Sequence, residues 1–351
     1  MNIYKHILPP LCLLLAMLAG ALATALFYEH RQFKKLRCAW ASVPLRDDQR
    51  RLHFYKADAP IQDAVLLDDT TFLYRSDACL RLRHLTGSAP EVVFAGHTRD
   101  IQVFRLSPDR RRVVTTSMDA TLRLWDARSG ECLAVSEPVD STSQPSWTLL
   151  QEAVFHPDGK TIRTVDMEGY KTWRASDLKL LSREDSDILY LSSGLLSPDW
   201  KTLCANVTEL DEAFRVVDCR DESTLDYVGG RVPLSYSPDG KRILAVNHET
   251  GTLEIWDADP ATMRTQRGIL WLASPSVPLR DAALSQDGEQ LVSAHADGTV
   301  RVWNARNGAE REILHYDRAD RVCFTPNGAR IAAWNTGSNE ICIFGPFSWG
   351  Y

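Results

Sequence analysis

Three side chains in one short stretch carry the groups that nucleophilic catalysis requires: the imidazole of His97, the hydroxyl of Thr115 and the carboxylate of Asp119. A carboxylate that orients an imidazole, and an imidazole that takes a hydroxyl proton, together activate a nucleophile. The same groups can instead be one another's hydrogen-bond partners inside a core, where each satisfies a buried donor or acceptor of the next. The rest of the chain favours the second reading. It contains no G-x-S-x-G elbow, no G-x-x-x-x-G-K-[ST] phosphate loop and no G-x-G-x-x-G turn. The nine histidines are scattered, His248-Glu249 lacks the second His of H-E-x-x-H, and no two cysteines stand at C-x-x-C spacing. The expectation is therefore a protein without catalytic residues, cofactor, metal site or small-molecule substrate. A central pocket lined by several carboxylates or histidines would be the enzyme alternative.

The three residues belong to one repeat unit, GHTRDIQVFRLSPDRRRVVTTSMDATLRLWDARSG at 96–130, and fainter copies recur along the chain up to VSAHADGTVRVWNARNG at 292–308. Each unit has a Gly-His start, an alternating apolar run, an S-P-D turn, a second run, a D-x-T turn and a third run closed by Trp-Asp. The first turn fixes the count. It reads Ser107-Pro108-Asp109, His156-Pro157-Asp158-Gly159, Ser197-Pro198-Asp199, Ser237-Pro238-Asp239-Gly240, Ser285-Gln286-Asp287-Gly288 and Thr325-Pro326-Asn327-Gly328. Successive turns are 49, 41, 40, 48 and 40 residues apart. A seventh stands upstream at Asp68-Asp69-Thr70, followed by DACLRLRH (77–84), which matches DATLRLWD (119–126) position for position with Arg83 where Trp125 stands. Proline presets φ for such a turn, and Asp and Gly accept the remaining geometry.

This pattern resembles the WD40 repeat, in which four antiparallel strands make one blade of a β-propeller. The resemblance covers roughly residues 50–351. It implies an all-β, seven-bladed propeller that acts as a scaffold for protein assemblies. A single sheet with two apolar faces cannot bury both alone, so blades pack on their neighbours and close into a ring. In the family the outer strand of the last blade comes from the other end of the chain; here Leu52-His53-Phe54-Tyr55 is expected to complete the blade containing 340–344. The resemblance also assigns His97, Thr115, Asp119 and Trp125 to the family's hydrogen-bonded His, Ser/Thr, Asp and Trp set, complete only in the second blade. The sixth blade keeps Ser293, Asp297 and Trp303 without a matching His. The third keeps Thr164 and Trp173 with Glu168 near the Asp position, while Val217 and Phe344 replace Trp elsewhere. S-P-D-G-K-R also occurs in the six-bladed propellers of exported TolB-like proteins, against which stand the Gly-His and Trp-Asp pairs and the count of seven.

Composition fits a folded body: 44% hydrophobic, 25% charged, ten tryptophans and a net charge of −6, which argues against nucleic-acid binding. Arg110-Arg111-Arg112 is read as a solvated hairpin turn. The N-terminal region is different. LCLLLAMLAGALATALFY (11–28) carries no charge over 18 residues, and as a helix it would span about 27 Å, close to a bilayer's hydrocarbon core. Residues 1–28 are read as a membrane anchor, 29–49 as a juxtamembrane linker broken by Pro44, and 50–351 as the propeller. Lys5 precedes the apolar segment, whereas Arg31, Lys34, Lys35 and Arg37 follow it, so the positive-inside tendency puts the propeller in the cytoplasm. The alternative is a signal peptide cleaved after Ala21-Leu22-Ala23, with an exported propeller. Outside the apolar segment Cys38, Cys79, Cys132, Cys204, Cys219, Cys323 and Cys342 are read as buried thiols. Cys204 and Cys219 are the pair that an oxidising compartment would join. Asn206-Val207-Thr208 falls in a strand and is read as a chance sequon.

Protein partners, membrane-associated ones in particular, are expected on the rim of loops that joins blades and links second to third strands. The candidates are Arg99, Asp100, Arg280, Asp281, Arg318 and Arg321 at blade starts, with Trp147 and Trp271 in the long links 137–147 and 259–277.

Overall fold

The computed structural model describes residues 53–85, 90–138, 152–166, 169–185, 194–207, 213–219, 223–229, 231–237, 239–247, 250–258, 269–272, 277–316 and 319–347. The apolar segment 11–28 and the linker 29–49 lie outside these residues, as do Trp147, Glu168 and Arg318. The chain divides into two compact units, Met1–Arg50 and Arg51–Tyr351, and every described strand belongs to the second. Among the described residues no helix is long and apolar enough to cross a membrane.

The strands form seven four-stranded antiparallel sheets. Blade 1 contains β2 (Asp63–Leu66), β3 (Thr71–Ser76), β4 (Cys79–His84) and β5 (Val92–Phe94), and blade 2 contains β6 (Ile101–Leu106), β7 (Arg112–Ser117), β8 (Leu122–Asp126) and β9 (Cys132–Val135). Blade 3 has β10 (Glu152–Phe155), β11 (Thr161–Val165), β12 (Gly169–Arg174) and β13 (Leu180–Asp185); blade 4 has β14 (Gly194–Leu196), β15 (Thr202–Val207), β16 (Ala213–Asp218) and β17 (Thr224–Gly229). Blade 5 has β18 (Arg231–Tyr236), β19 (Arg242–Asn247), β20 (Thr252–Asp257) and β21 (Ile269–Leu272); blade 6 has β22 (Leu279–Leu284), β23 (Gln290–His295), β24 (Thr299–Asn304) and β25 (Glu310–His315). Blade 7 joins β26 (Arg321–Phe324), β27 (Ile331–Trp334) and β28 (Glu340–Phe344) to β1 (His53–Lys56) from the other end of the chain. The register of that clasp is His53 opposite Ile343, Phe54 opposite Cys342, Tyr55 opposite Ile341 and Lys56 opposite Glu340. The expected closure is present, shifted by one residue from 52–55.

Seven hydrophobic clusters fill the seams between adjacent blades. Phe94 of blade 1 packs with Val113 and Trp125 of blade 2, and Val114 and Leu124 of blade 2 pack with Phe155 and Trp173 of blade 3. The ring closes where Trp334 and Ile341 of blade 7 meet Phe72 and Tyr74 of blade 1. Seven sheets exclude the six-bladed architecture of the TolB-like alternative. The second strands are covered on both faces, whereas β13 at the outer edge is exposed throughout.

Each hairpin between first and second strands is a small hydrogen-bonded unit. The Ser107 hydroxyl donates to Asp109 Oδ1 at 2.6 Å and accepts from the Arg112 amide at 3.0 Å, and Ser237 with Asp239 and Arg242, and Ser285 with Asp287 and Gln290, repeat the arrangement. Asp68-Asp69-Thr70 forms the seventh turn, with Asp68 Oδ1 accepting from the Thr70 amide and hydroxyl. The arginines beside these turns correct one expectation. Arg110 and Arg112 do not simply extend into solvent: Arg110 Nη1 donates to Leu66 O of blade 1 at 2.9 Å, and Arg112 Nη2 donates to Gly159 O of blade 3 at 2.7 Å. Arg242 Nη1 reaches Gly288 O of blade 6 at 2.8 Å, and Arg330 Nη1 reaches Asp69 O of blade 1 at 3.1 Å. A guanidinium has enough donors to tie a neighbouring turn while its stem lies along the seam.

One further expectation changes. The long segment at 259–268 joins β20 to β21 inside blade 5 and is not a link between blades, so Trp271 stands within a strand, opposite Glu254. Cys204 and Cys219 are free thiols. They serve different seams, Cys204 between blades 4 and 5 and Cys219 between blades 3 and 4, and burial pushes each thiol up to about 12. A variant lacking residues 50–56 should leave β28 as a bare edge and aggregate in light-scattering measurements; unchanged thermal stability would reject the clasp.

Candidate functional site

The four residues assigned to the polar set come together in blade 2. His97 lies in the link between β5 and β6, Thr115 on β7, Asp119 in the turn between β7 and β8, and Trp125 on β8. Asp119 Oδ2 lies 2.8 Å from His97 Nδ1, His97 Nε2 lies 2.7 Å from Thr115 Oγ1, and Trp125 Nε1 donates to the same hydroxyl oxygen at 2.8 Å. Asp119 also accepts from the amides of Thr98 and Thr121 and from the Thr121 hydroxyl. Gly96 is closely approached: a β-carbon there would stand 2.5 Å from Arg123 Nη1, the mobile end of that side chain, and 3.3 Å from the Trp125 ring.

This geometry can hold a blade together but cannot present a nucleophile. The Thr115 side chain is fully buried, and its oxygen is shared between the indole N–H and the imidazole. Burial lowers the His97 pKa despite the opposing pull of Asp119, so the ring stays neutral near pH 7. Burial alone would raise Asp119, but the hydrogen bonds from Thr121, His97 and the Thr98 amide outweigh it and bring its pKa to about 2. Both shifts tie stability to pH with the same sign, because the unfolded chain binds these protons more readily than the ring does.

Other blades solve the same problem with different side chains. In blade 6, Trp303 Nε1 donates to Ser293 Oγ at 2.8 Å, and His295 Nε2 lies 2.8 Å from that oxygen. The sixth blade therefore does have a histidine in its network, placed two residues beyond Ser293 on the strand rather than in the preceding link. Asp297 bonds Thr299 instead. In blade 3, Trp173 donates to Thr164 Oγ1 at 2.9 Å, and a buried ion pair joins Lys171 to Asp166. Blade 5 replaces the hydroxyl with the fully buried carboxylate of Glu254, which accepts from Trp256 Nε1, Arg231 Nε and Asn247 Nδ2, each at 3.1 Å. Reading the sequence missed His295 and Glu254. Their signal was a polar residue among apolar ones at an inward strand position, His in QLVSAH and Glu in TLEIWD. Val217 and Phe344 at Trp positions are buried in apolar seams.

The rim candidates separate into two kinds. Arg99 and Asp100, directly before β6, are exposed, as are Arg280 on β22 and Arg321 at the start of β26. Asp281 is an inter-blade tie: its Oδ2 accepts the Val322 amide at 3.0 Å, and Arg321 Nη1 stands 3.8 Å from Oδ1. Burial raises the Asp281 pKa to about 6 against the pull of that amide and of Arg321. Among the described residues no cluster of His, Cys, Asp and Glu could hold a metal ion.

The WD40 family, described as "WD domain, G-beta repeat", matches residues 88–126 and 272–304. The chain is 26% identical over 231 residues to WD repeat-containing protein 82 of Drosophila melanogaster, covering 65% of this chain and 58% of that protein. It is 24% identical over 237 residues to THO complex subunit 3 of Arabidopsis thaliana, covering 64% of this chain and 68% of that protein. The matches span about half to two thirds of these relatives' lengths. In fold it is similar to the β-propeller domain of Cps50 (Swd1) from Myceliophteria thermophila, with a TM-score of 0.61 and 13% identity over 82% of this chain and 96% of that one. The match to the WD domain, G-beta repeat is confined to residues 88–126 and 272–304, two stretches that end in blades 2 and 6 of the seven-bladed β-propeller.

Two outcomes follow for stability. Asp119→Ala should cost about 1–3 kcal/mol in chemical denaturation by leaving buried donors unpaired, and the deficit against the parent protein should shrink as pH falls from about 4 to about 2. Asp281→Asn keeps an acceptor for the Val322 amide and removes a carboxylate whose folded pKa is raised. The folded state binds that proton more tightly between about pH 4 and about 6, so the variant should melt above the parent at pH 7.5 and no higher at pH 3.5.

Proposed function

We propose that this chain is a membrane-tethered scaffold that binds other proteins through the loop rim of its propeller. The observation that carries the reading is the pairing of a rigid ring with exposed charged side chains: Arg99, Asp100 and Arg280 stand at the starts of blades 2 and 6. Strands locked by buried polar centres hold these groups in fixed relative positions, which lowers the ordering cost of binding. The subunit named in THO complex subunit 3 supports the same use, since that protein's name places it in an assembly.

The tether rests on residues 11–28, whose uncharged length matches a bilayer core, and the basic cluster after them favours a cytoplasmic propeller. A linker of residues 29–49 confines the ring to a thin layer next to the membrane and raises its effective concentration toward membrane-associated proteins. A net charge of −6 favours proteins over nucleic acid as partners.

Crosslinking in intact membranes, followed by identification of the attached proteins, tests both parts. A variant lacking residues 1–48 should unfold at the parent temperature yet lose the crosslinked partners, and Arg99→Glu with Arg280→Glu in the full chain should weaken their capture roughly tenfold. An unchanged partner set in both variants rejects the reading. A mature chain beginning near Thr24 would replace the anchor with a signal peptide.

A further inference from the structure

The first strand of blade 6 is bulged. Leu279 stands opposite His295 and Asp281 opposite Ala294, so Arg280 is the extra residue of the pair. A bulge re-aims the side chains around it. Arg280 is exposed, and the Asp281 side chain, 18% exposed, reaches into the seam with blade 7 while solvent still reaches it. Its two oxygens differ. Oδ2 accepts the Val322 amide at 3.0 Å, whereas Oδ1 has Arg321 Nη1 at 3.8 Å, beyond hydrogen-bond reach. Glu152 stands four residues before His156 as Asp281 stands before Ser285, and it is fully engaged, accepting from Arg105 Nη2 at 2.9 Å. Asp281 has only a backbone amide and a loosely held cation.

Few charges face it. β26 contributes Arg321 and the Cys323 thiol, which burial pushes up to about 12 and so keeps neutral. β2, packed against β26, contributes Asp63, whose negative charge opposes ionisation of Asp281. His295 of β23 is bonded to Ser293, and burial lowers its pKa; Arg231 of β18 is bonded to Glu254. Burial, joined by Asp63, raises the Asp281 pKa to about 6 against the Val322 amide and Arg321. Such a group changes most of its charge between about pH 7.5 and about 5.5.

We propose that Asp281 is a proton-operated latch on Arg321: ionised, it holds the guanidinium at the seam between blades 6 and 7, and protonated on Oδ1 from solvent it releases that guanidinium to the rim, where the added positive charge strengthens capture of an acidic partner segment. Oδ2 keeps the Val322 amide in both states, so the seam stays closed and only the rim charge changes. The sign of the partner follows from the charges there, since Arg280 and Arg321 are exposed while Asp320 beside them accepts the Thr336 amide at 2.8 Å. This regulation rests on the rim being the binding surface.

The test is fluorescence anisotropy of a labelled oligoaspartate peptide with the full chain in detergent micelles at low salt, because aspartate stays ionised at about pH 5.5. Binding by the parent should tighten roughly threefold from about pH 7.5 to about pH 5.5, the gain expected of one charge about 6 Å from a carboxylate in water. Asp281→Asn carries the charge of the protonated state, so it should bind at the higher pH as tightly as the parent does at the lower one and lose most of the pH dependence. Arg321→Gln should bind weakly at both, and thermal melting checks that both variants stay folded. The parent's pH dependence persisting in Asp281→Asn would assign it to other groups, the exposed His315 among them, and overturn the latch. Its persistence in Arg321→Gln, or absence of peptide binding at the lower pH, overturns it too. Survival of the crosslinked partners in Arg99→Glu with Arg280→Glu rejects the rim reading by itself, whereas equal peptide affinity of the parent at both pH values rejects the latch by itself, so the two fail separately.

Discussion

Adjacent residues on the second strand of a blade belong to different hydrophobic cores. Val113 enters the seam toward blade 1 and Val114 the seam toward blade 3; Ile243 and Leu244, Leu291 and Val292, and Ile331 and Ala332 divide in the same way. A blade thus has no core of its own, and half of its apolar surface stays wet until the next blade arrives. Closing the circle removes the last two open faces, so the seam between blades 7 and 1 and the pairing of β1 with β28 are conditions for every other seam.

Apolar burial alone does not fix the angle between blades, because a seam of small and large side chains permits sliding. Two kinds of polar contact restrict it. Arginines beside the first hairpins bond carbonyls of the neighbouring blade at the seams between blades 2 and 3, 5 and 6, and 7 and 1. Within a blade, the indole N–H of the third-strand tryptophan needs an acceptor once it is buried. Thr115, Thr164, Ser293 and Glu254 each provide it. The requirement is one acceptor beneath one indole, and a hydroxyl or a carboxylate meets it equally once its own remaining partners are supplied. Where Val217 or Phe344 replaces the tryptophan, that demand disappears.

The ring was legible in the sequence because its hairpin turns repeat. Ser, Asp and the backbone amide five positions after Ser form the turn among themselves, so the motif survives wherever the turn does, and even Asp68-Asp69-Thr70 marks a blade whose tryptophan is replaced by Arg83. The polar centre of blade 2 was legible for the same reason, with all four members present in the repeat. His295 and Glu254 were hidden because their roles depend on which face of a strand they occupy and on what stands opposite, information that enters only with strand register. The inter-blade work of Arg110 and Arg112 was hidden by distance along the chain, since Leu66 O and Gly159 O are brought near only by ring closure. The segment 259–268 was misplaced because a long insertion looks the same whether it joins two strands of one blade or two blades.

Charge accounting across equivalent positions separates groups that belong to the fold from groups left over. Position 81 and its counterparts at 123, 171, 215, 254 and 301 place a charge on the third strand of six blades, and in four of them an opposite charge from the same blade is aimed at it. Burial of part of each side chain favours such pairing, because a charge half removed from water loses solvation that a partner helps to restore. Blades 2 and 4 depart from the pattern: among the described residues no carboxylate pairs with Arg123, which lies against the Trp125 ring, or with Arg215. Asp281 belongs to the fold, held by the Val322 amide, whereas Arg280 is exposed on β22 and the exposed Arg99 makes only a 3.5 Å contact from Nη1 to Met118 O, so charges on the rim differ in their contacts and not in their position.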